Sequence, residues 1–264
     1  MSAKNIPCKI INKQKLTLSA NLHYLDPLKR CPAVLVLHGF TGYKDEKHIH
    51  EFATLLAEAG FVTLRFDTSG FGDSEGSIEK DFRVSNYLSD IEAASEFLLQ
   101  QPNVDPNRLG ICGHSMGAGL SIIAAALNNK FRACCAIQPS EITFAEGCRH
   151  DLKAWQSTGY LEQDCSHPKY SKIQIPWAFA EDRNKYDTRE YAKKLAVPLM
   201  VMYGTADTTV PPEKTIAVYQ AAPEPKELIR LDGVTHDFSE NQTDLNSVST
   251  ILLEFFERQL KQSK

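Results

Sequence analysis

The stretch Gly113-His114-Ser115-Met116-Gly117 decides the fold of this 264-residue chain, because it joins apolar segments of two different kinds. The short run 109–112 before it has the length and character of a strand, and the alanine-rich segment 120–127 after it is typical of a helix. Glycines two positions on either side of Ser115 allow a sharp turn and a close approach of the helix to the strand. The pattern therefore predicts a serine hydroxyl held out of a sheet, beside the N–H groups that open a helix.

The pentapeptide alone leaves two interpretations, a nucleophile turn or a glycine-rich loop with a solvated serine, because short serine motifs often arise by chance. The rest of the chain favours the first. Strand-like apolar runs alternate with segments of helical periodicity, which predicts an α/β fold with a mostly parallel sheet and helices on both faces. The expected strands are a hairpin at 8–12 and 15–24, followed by 33–37, 61–66, 109–112, 133–137, 198–203 and 226–231. The expected helices are 47–59, 86–101, 120–127, 188–195, 212–221 and 248–261.

Length and charge limit the classes of protein to consider. A chain of 264 residues can form one substantial domain with a full hydrophobic core. Its 29 Lys and Arg against 33 Asp and Glu give a net charge of -4, which provides no general attraction to nucleic acid or to an anionic membrane. No apolar stretch reaches the roughly 20 residues of a membrane span, and the N-terminus lacks the apolar core of a secretion signal. We therefore expect a cytoplasmic protein without nucleic-acid or membrane partners.

The seven cysteines show no framework spacing, as expected of thiols that stay reduced. Two C-x-H pairs, Cys148 with His150 and Cys165 with His167, could in principle supply four zinc ligands. Their spacing matches no common structural zinc motif. We therefore expect no metal and no cofactor.

An irregular segment follows the sixth expected strand. Residues 138–182 lack clear periodicity, and aromatic residues are interleaved with charged ones. This predicts a cap insertion at 138–182 in a core formed by 1–137 and 183–264; the alternative is a surface excursion with its own small core. Within a cap, Trp155, Tyr160 and Trp177 would provide flat apolar walls for substrate binding.

A reactive serine needs a base, a carboxylate that orients the base, and N–H donors for an oxyanion. The chain places one candidate of each kind after an expected strand. Asp207 follows the strand at 198–203, His236 follows the last strand, and the glycine-containing segment 38–42 follows the strand at 33–37. Active sites of parallel sheets lie at the carboxyl ends of the strands, so these residues are expected to meet Ser115.

A second glycine-rich loop at 67–76 superficially suggests phosphate binding. It contains Gly70-x-Gly72 but continues through acidic residues instead of opening a helix, as a dinucleotide-binding fingerprint would. We interpret it as a structured turn in which Arg65, Asp67 and Asp73 brace loops.

With these motifs in place, the sequence resembles the α/β-hydrolase family over nearly its whole length, and within it the cinnamoyl/feruloyl esterase and serine aminopeptidase-like branch. The resemblance rests on five motifs, which are His38-Gly-Phe-Thr-Gly42, Arg65-Phe-Asp67-x-x-Gly70-x-Gly72-x-Ser74, Gly113-His-Ser-Met-Gly117, Gly204-Thr-x-Asp207-x-x-Val-Pro211 and Thr235-His236-Asp-Phe238. It implies an α/β-hydrolase fold with Ser115 as nucleophile, His236 as general base and then acid, and Asp207 as its orienting carboxylate. It also implies that the backbone N–H groups of Phe40 and Met116 form the oxyanion hole. Asp232 and Asp237 also lie near His236, but only Asp207 has the Gly-Thr-x-Asp setting.

The expected function is a serine hydrolase that cleaves carboxylic esters through an acyl-enzyme on Ser115. The substrate would be a small-molecule ester with an aryl or short-to-medium acyl group, and the resemblance implies a cinnamoyl or feruloyl type. Peptidase, thioesterase or acyltransferase chemistry on the same triad stays open, as does a non-catalytic receptor or scaffold. A homodimer is also left open.

Overall fold

The computed structural model describes residues 2–140, 150–165 and 167–261. The strands within these residues are β1 Lys4–Ile11, β2 Thr17–Tyr24, β3 Cys31–Leu37, β4 Val62–Phe66, β5 Val104–His114, β6 Phe131–Ile137, β7 Tyr160–Asp164, β8 Lys172–Pro176, β9 Leu199–Gly204 and β10 Lys226–Leu231. The α-helices are α1 Lys47–Glu58, α2 Val84–Leu99, α3 Met116–Leu127, α4 Leu152–Thr158, α5 Trp177–Arg183, α6 Thr188–Ala192, α7 Pro212–Ala221 and α8 Gln242–Phe256.

The main sheet has eight strands in the order β1-β2-β4-β3-β5-β6-β9-β10. β2 pairs antiparallel with both β1 and β4, and all other pairs in this sheet are parallel. The predicted opening hairpin and mostly parallel sheet are therefore confirmed. Because β3, β5, β6 and β9 run in the same direction, their carboxyl ends open onto one edge of the molecule.

The sheet has an apolar layer on each face. Alternate residues of β3 point to opposite sides, as the two-residue period of a strand requires. Val34 and Val36 belong to a buried cluster that includes residues of α1 and α8, whereas Leu35 and Leu37 belong to one that includes residues of α2, α3 and α7. Every residue of β3 is buried, which explains its continuous apolar sequence.

Several elements begin earlier than the sequence pattern predicts, and the shift is large in three of them. β5 starts at Val104, α3 at Met116 and α8 at Gln242. The first turn of α8 is polar, so apolar periodicity does not reveal it. Its start depends instead on the Asn241 side chain, which accepts hydrogen bonds from the N–H groups of Thr243 and Asp244.

The segment after β6 leaves the main sheet and contains α4, the antiparallel pair β7–β8, and α5. Residues 141–149 and 166, part of the predicted cap, lie outside the described residues. The apolar side chains of Trp155, Ile175 and Phe179 belong to the same core cluster as α2 and α3. The predicted boundary at residue 182 falls inside α5, whose Asp182 carboxylate accepts a hydrogen bond from Ser85 N–H at the start of α2. The division into core and cap stays a prediction.

Within the described parts of the chain, none of the helices is both long enough and apolar enough to cross a membrane.

The turn at Ser115 depends on two glycines that permit close backbone contact. A Cβ at Gly117 would lie 2.4 Å from the carbonyl oxygen of His38, so α3 starts against the end of β3. A Cβ at Gly113 would lie 2.5 Å from the carbonyl oxygen of Gly117. A larger residue at either position would push the helix away from the sheet.

We predict that Gly117→Ala destabilises the protein more than Gly110→Ala. Helix propensity alone would favour alanine in α3 by up to about 1 kcal/mol. The clash at Gly117 is with backbone atoms, which cannot move without displacing β3. At Gly110 the nearest atoms belong to the Phe256 and Leu260 side chains, which can shift at a cost of about 1–3 kcal/mol. Urea unfolding followed by circular dichroism measures the difference, and equal stabilities would contradict it.

Candidate active site

Ser115 occupies a strained turn between β5 and α3. Its backbone has φ 56° and ψ -120°, a region that non-glycine residues rarely adopt. Hydrogen bonds fix this conformation: the Ser115 N–H donates to the Ile137 carbonyl over 3.0 Å, and the Ser115 carbonyl accepts from Gly119 N–H over 3.1 Å. The side chain is only partly buried, so the hydroxyl faces the edge where the parallel strands end.

His236 and Asp207 complete a continuous chain of hydrogen-bonding groups with Ser115. His236 Nε2 lies 3.0 Å from Ser115 Oγ, and His236 Nδ1 lies 2.8 Å from Asp207 Oδ2. Asp207 Oδ1 accepts hydrogen bonds from the N–H groups of Thr209 and Val210. These two bonds fix the carboxylate so that Oδ2 faces the imidazole. This pairing assigns the imidazole proton to Nδ1 and leaves Nε2 free to accept the serine proton.

The two other acids near His236 in sequence are placed differently. The Asp232 carboxylate pairs with Arg230 over 2.7 Å, and Asp237 is exposed. Asp207 is only 4% exposed. The three residues expected to meet, Ser115, Asp207 and His236, are therefore brought together by three separate loops.

Gln138 and His114 support the imidazole from behind, and the sequence analysis missed the role of Gln138. The Gln138 side chain donates to the Thr235 carbonyl over 2.9 Å, and its Oε1 lies 3.2 Å from His114 Nε2. The ring centre of His114 lies 4.7 Å from that of His236. Burial lowers the pKa of His114 well below its ordinary value, so this ring stays neutral beside His236. Gln138 has a positive φ of 49°, a feature that is invisible in the sequence.

The two expected oxyanion donors lie next to Ser115. Met116 opens α3, so its N–H has no acceptor within the helix. Phe40 stands in the loop after β3, and a Cβ at the preceding Gly39 would lie 3.3 Å from Ser115 Cβ. The loop that carries Phe40 therefore packs directly against the nucleophile. Their role as oxyanion donors stays a prediction.

Charged side chains hold the Phe40 loop from below. The buried Asp67 carboxylate accepts the N–H groups of Lys44 over 2.6 Å and of Asp73 over 2.9 Å. The Arg65 guanidinium donates to the Lys44 carbonyl and to the Asp45 carboxylate. Hydrogen bonds from Lys169 and Lys44 lower the pKa of Asp73 to about 2. These contacts match the bracing role expected for Arg65, Asp67 and Asp73.

A cavity of about 510 Å³ opens beside Ser115 and His236. Its described lining includes Glu46, His48, Asp164, Cys165 and Asp237. Burial raises the pKa of Glu46 from its ordinary 4.5 to about 7, and the negative charges of Asp67 and Asp237 act in the same direction. Burial lowers the pKa of His48 to about 3, so its ring is neutral. Glu46 and His48 were not expected at the site, because neither follows a strand directly.

The three aromatic residues expected to bind substrate lie outside the described lining of this cavity. Trp155 is 2% exposed, and its indole N–H donates to the Ile175 carbonyl over 3.0 Å. The Trp177 ring centre lies 5.8 Å from that of Trp155, and Tyr160 is 44% exposed. Phe179 of α5 does reach the site, since its ring centre lies 5.3 Å from that of Phe40. Substrate binding by Trp155, Tyr160 and Trp177 stays a prediction.

The described residues contain no cluster of three or more His, Cys, Asp or Glu side chains that could hold a metal ion. Cys148, one of the four candidate zinc ligands, lies outside them. In the second pair, the Cys165 sulfur accepts a hydrogen bond from His167 N–H over 3.4 Å, and the thiol lies 3.7 Å from the Thr41 carbonyl. This pair therefore supports the loop beside the cavity.

Known proteins share both the sequence pattern and the fold. The profile of the prolyl oligopeptidase family matches residues 47–263. Polyketide transferase ATR5 of Stachybotrys chlorohalonatus is 25% identical over 269 residues, which cover 88% of this chain and 90% of that protein. An uncharacterized 31.7 kDa protein of Escherichia coli is 25% identical over 228 residues, covering 72% of this chain and 77% of its own. The structure of Est1E from Butyrivibrio proteoclasticus with bound ferulic acid aligns with a TM-score of 0.81 at 23% identity, over 96% of this chain and 99% of that one. At this identity the structural likeness shows the α/β-hydrolase fold.

We predict that Glu46→Gln becomes progressively more stable than the unmodified protein as the pH rises from about 5 to about 8. A carboxyl whose pKa is higher in the folded than in the unfolded state binds its proton more tightly when folded. The folded state therefore loses stability as the pH rises from 4.5, the ordinary pKa of the carboxyl, to about 7, its pKa in the folded protein. This shift in the pKa of Glu46 corresponds to about 3 kcal/mol of lost stability, and the Glu46→Gln variant avoids that loss because glutamine does not ionise.

Urea unfolding at several pH values measures this divergence. Glu254→Gln is the matched control, since Glu254 is exposed on α8 and does not line the cavity. Parallel stability curves for Glu46→Gln and the unmodified protein would show that the carboxyl titrates normally.

Proposed function

This chain belongs to the prolyl oligopeptidase family of α/β hydrolases, and we propose that it is a serine hydrolase that cleaves carboxylic esters through an acyl-enzyme on Ser115. The observation that carries the proposal is the unbroken contact from Ser115 Oγ through His236 to the buried Asp207 carboxylate, at 3.0 Å and 2.8 Å. A serine hydroxyl is a weak nucleophile until an adjacent base accepts its proton. The strained turn at Ser115 also costs free energy. A serine in a solvated loop would have no reason to retain such a conformation.

Acylation begins when Ser115 Oγ attacks the ester carbonyl carbon while its proton passes to His236 Nε2. The carbonyl oxygen becomes an oxyanion, and the N–H groups of Phe40 and Met116 stabilise it. Asp207 stabilises the imidazolium through Nδ1–H. As the carbon–oxygen bond of the leaving group breaks, His236 Nε2–H gives its proton to the departing alkoxide. The products of this step are an alcohol and an acyl ester on Ser115.

Deacylation repeats these steps with water. His236 Nε2 takes a proton from the water, and the hydroxyl oxygen attacks the acyl carbon. The bond to Ser115 Oγ then breaks and the serine recovers its proton from His236, which releases the carboxylic acid.

The aromatic residues of the segment after β6 bear on the substrate. We assign an aryl or short-to-medium acyl group, such as a cinnamoyl or feruloyl group, to the aromatic region of the 138–182 insertion that contains Trp155, Tyr160 and Trp177. Phe179 supports this assignment, because its ring lies against both the ring of Trp155 and the ring of Phe40. It thereby connects the aromatic residues of the insertion with the loop beside the nucleophile. Burying an unpaired charge among these rings would be costly, whereas an aryl group would be favoured.

Peptide cleavage is a second candidate, favoured by the match to the prolyl oligopeptidase family. The same serine, base and oxyanion donors can cleave an amide if His236 protonates the departing amine. Transfer of the acyl group to another acceptor would use the same acyl-enzyme. The similarity to a polyketide transferase favours testing this reaction beside hydrolysis.

We predict that Ser115→Ala abolishes ester hydrolysis without unfolding the protein. Loss of a triad nucleophile lowers kcat by several orders of magnitude, about 10⁴-fold or more. A fluorophosphonate probe should label the unmodified protein and Ser247→Ala, a control on the exposed face of α8, but not Ser115→Ala. Turnover of Ser115→Ala at a tenth of the normal rate would contradict the assignment.

We also predict that aryl esters are cleaved with a higher kcat/KM than aminoacyl anilides with the same acyl group. A matched series of ester, thioester and anilide substrates, each assayed with and without an alcohol or amine acceptor, distinguishes hydrolysis from acyl transfer. A preference for the anilide after correction for intrinsic reactivity would favour the peptidase. A larger yield of transferred than of hydrolysed product would favour the transferase.

A further inference from the structure

The side chain of Gln138 lies between the three loops that carry the proposed catalytic residues. Its Nε2 atom donates a hydrogen bond over 2.9 Å to the carbonyl of Thr235, the residue before His236. Its Oε1 atom lies 3.2 Å from Nε2 of His114, the residue before Ser115. A single amide therefore contacts the residues that precede the base and the nucleophile.

The same amide lies against the start of the third loop, which carries Asp207 and follows β9. Gly204 is the last residue of β9. A Cβ atom at Gly204 would lie 2.7 Å from Nε2 of Gln138 and 2.2 Å from the Val234 carbonyl oxygen. The glycine therefore leaves the space that the amide occupies, and Gln138 reaches all three loops.

The main chain around Gln138 fixes the direction of its side chain. The Gln138 N–H donates to the Met202 carbonyl over 2.8 Å, and the preceding carbonyl, that of Ile137, accepts from Ser115 N–H over 3.0 Å. Gln138 has a φ of 49°, in a region that residues other than glycine rarely adopt, and its side chain is fully buried. The fold thus keeps a costly backbone conformation that directs the amide into the site.

The hydrogen-bond partners determine which end of the amide faces each loop. A carbonyl can only accept, so the NH₂ group faces Thr235 and the amide oxygen faces His114. The His114 ring is neutral, because burial lowers its pKa well below the ordinary value, and its single proton lies on Nε2, where the amide oxygen accepts it. Gln138 therefore fixes the ring whose centre lies 4.7 Å from that of His236.

Asp207 alone does not fix the direction of the His236 ring. Its carboxylate holds Nδ1 over 2.8 Å, and a rotation about this contact would move Nε2 away from Ser115. Two contacts made by Gln138 oppose such a rotation. The bond to Thr235 holds the peptide group next to His236, and the His114 ring lies against the imidazole.

We infer that Gln138 is a positioning residue, whose side-chain amide holds His236 in the orientation that lets Nε2 exchange a proton with Ser115. This inference rests on the proposed ester hydrolysis, in which His236 serves both acylation and deacylation. Gln138 is fully buried and is not part of the described lining of the cavity beside Ser115. Its effect therefore reaches the reaction through His236 and not through contact with the substrate.

Gln138→Met tests this role, because methionine has a similar length but makes neither hydrogen bond. With an aryl butanoate ester we expect kcat and kcat/KM to fall by the same factor, about tenfold to 100-fold, and KM to stay unchanged. The reason is that His236 acts in both transition states while no substrate contact is lost. Gln220→Met, on the exposed side of α7, is the matched control.

Gln138→Asn separates the amide from the backbone conformation. Asparagine adopts a positive φ more readily than glutamine, but its amide is one methylene shorter and cannot reach both partners. We expect this variant to be as slow as Gln138→Met. Normal turnover by Gln138→Asn would assign the effect to the backbone and would contradict the inference. Circular dichroism checks the folding of each variant, and Gln138→Asn carries the kinetic test if Gln138→Met does not fold.

Proton NMR measures the orientation of His236 without a substrate. The Nδ1 proton that His236 shares with the Asp207 carboxylate should give a strongly downfield signal that is absent from His236→Ala. In Gln138→Met this signal should broaden through faster exchange with solvent, and in Gln220→Met it should not. If the signal broadens but the unmodified protein cleaves no ester, the positioning role stands and ester hydrolysis is wrong. If esters are cleaved while Gln138→Met changes neither kcat nor the signal, the hydrolase stands and the positioning role is wrong.

Discussion

The close approach of α3 to the end of β3 is the constraint on which the site depends. Gly117 has room for no side chain, because a Cβ there would meet the His38 carbonyl oxygen at 2.4 Å. This contact brings the start of α3 close to the loop after β3, in which Gly39 packs against Ser115. Phe40 and Met116, whose N–H groups are the proposed oxyanion donors, stand on these two segments. In the proposed mechanism, donors fixed in this way would need no rearrangement as charge develops on an oxyanion.

The sequence was sufficient to predict the residues that meet but not the contacts that hold them. Ser115, Asp207 and His236 each follow a strand-like run, and parallel strands bring their carboxyl ends together, so their convergence follows from the pattern. Gln138, by contrast, lies at the end of β6 in a conformation that no local pattern signals, and its partners are 24 and 97 residues away. The start of α8 was missed for a related reason. A polar first turn has no apolar periodicity, and only the Asn241 cap marks it.

The buried polar groups around the site fall into two kinds. Asp90 is fully buried, but its carboxylate accepts hydrogen bonds from Asn12, Thr68 and Ser69, which offset the cost of desolvation. Tyr87 similarly donates to the His38 carbonyl over 3.0 Å. These satisfied groups lie below the loops and fix their shape. His48 differs from these groups, because its buried Nε2 atom has no hydrogen-bond partner among the described residues.

The two kinds of group affect stability in opposite ways. A loop that must hold its conformation through a reaction gains from hydrogen bonds that are complete in the resting protein, because a partly satisfied network has alternative arrangements of similar energy. A buried polar atom without a partner, such as His48 Nε2, lowers the stability of the folded protein. The strained turn at Ser115 adds to the same cost. The folded protein can tolerate these costs because of the large apolar cores on both faces of the sheet. Burial of their apolar surface stabilises the fold by far more than the few unpaired groups at the edge destabilise it.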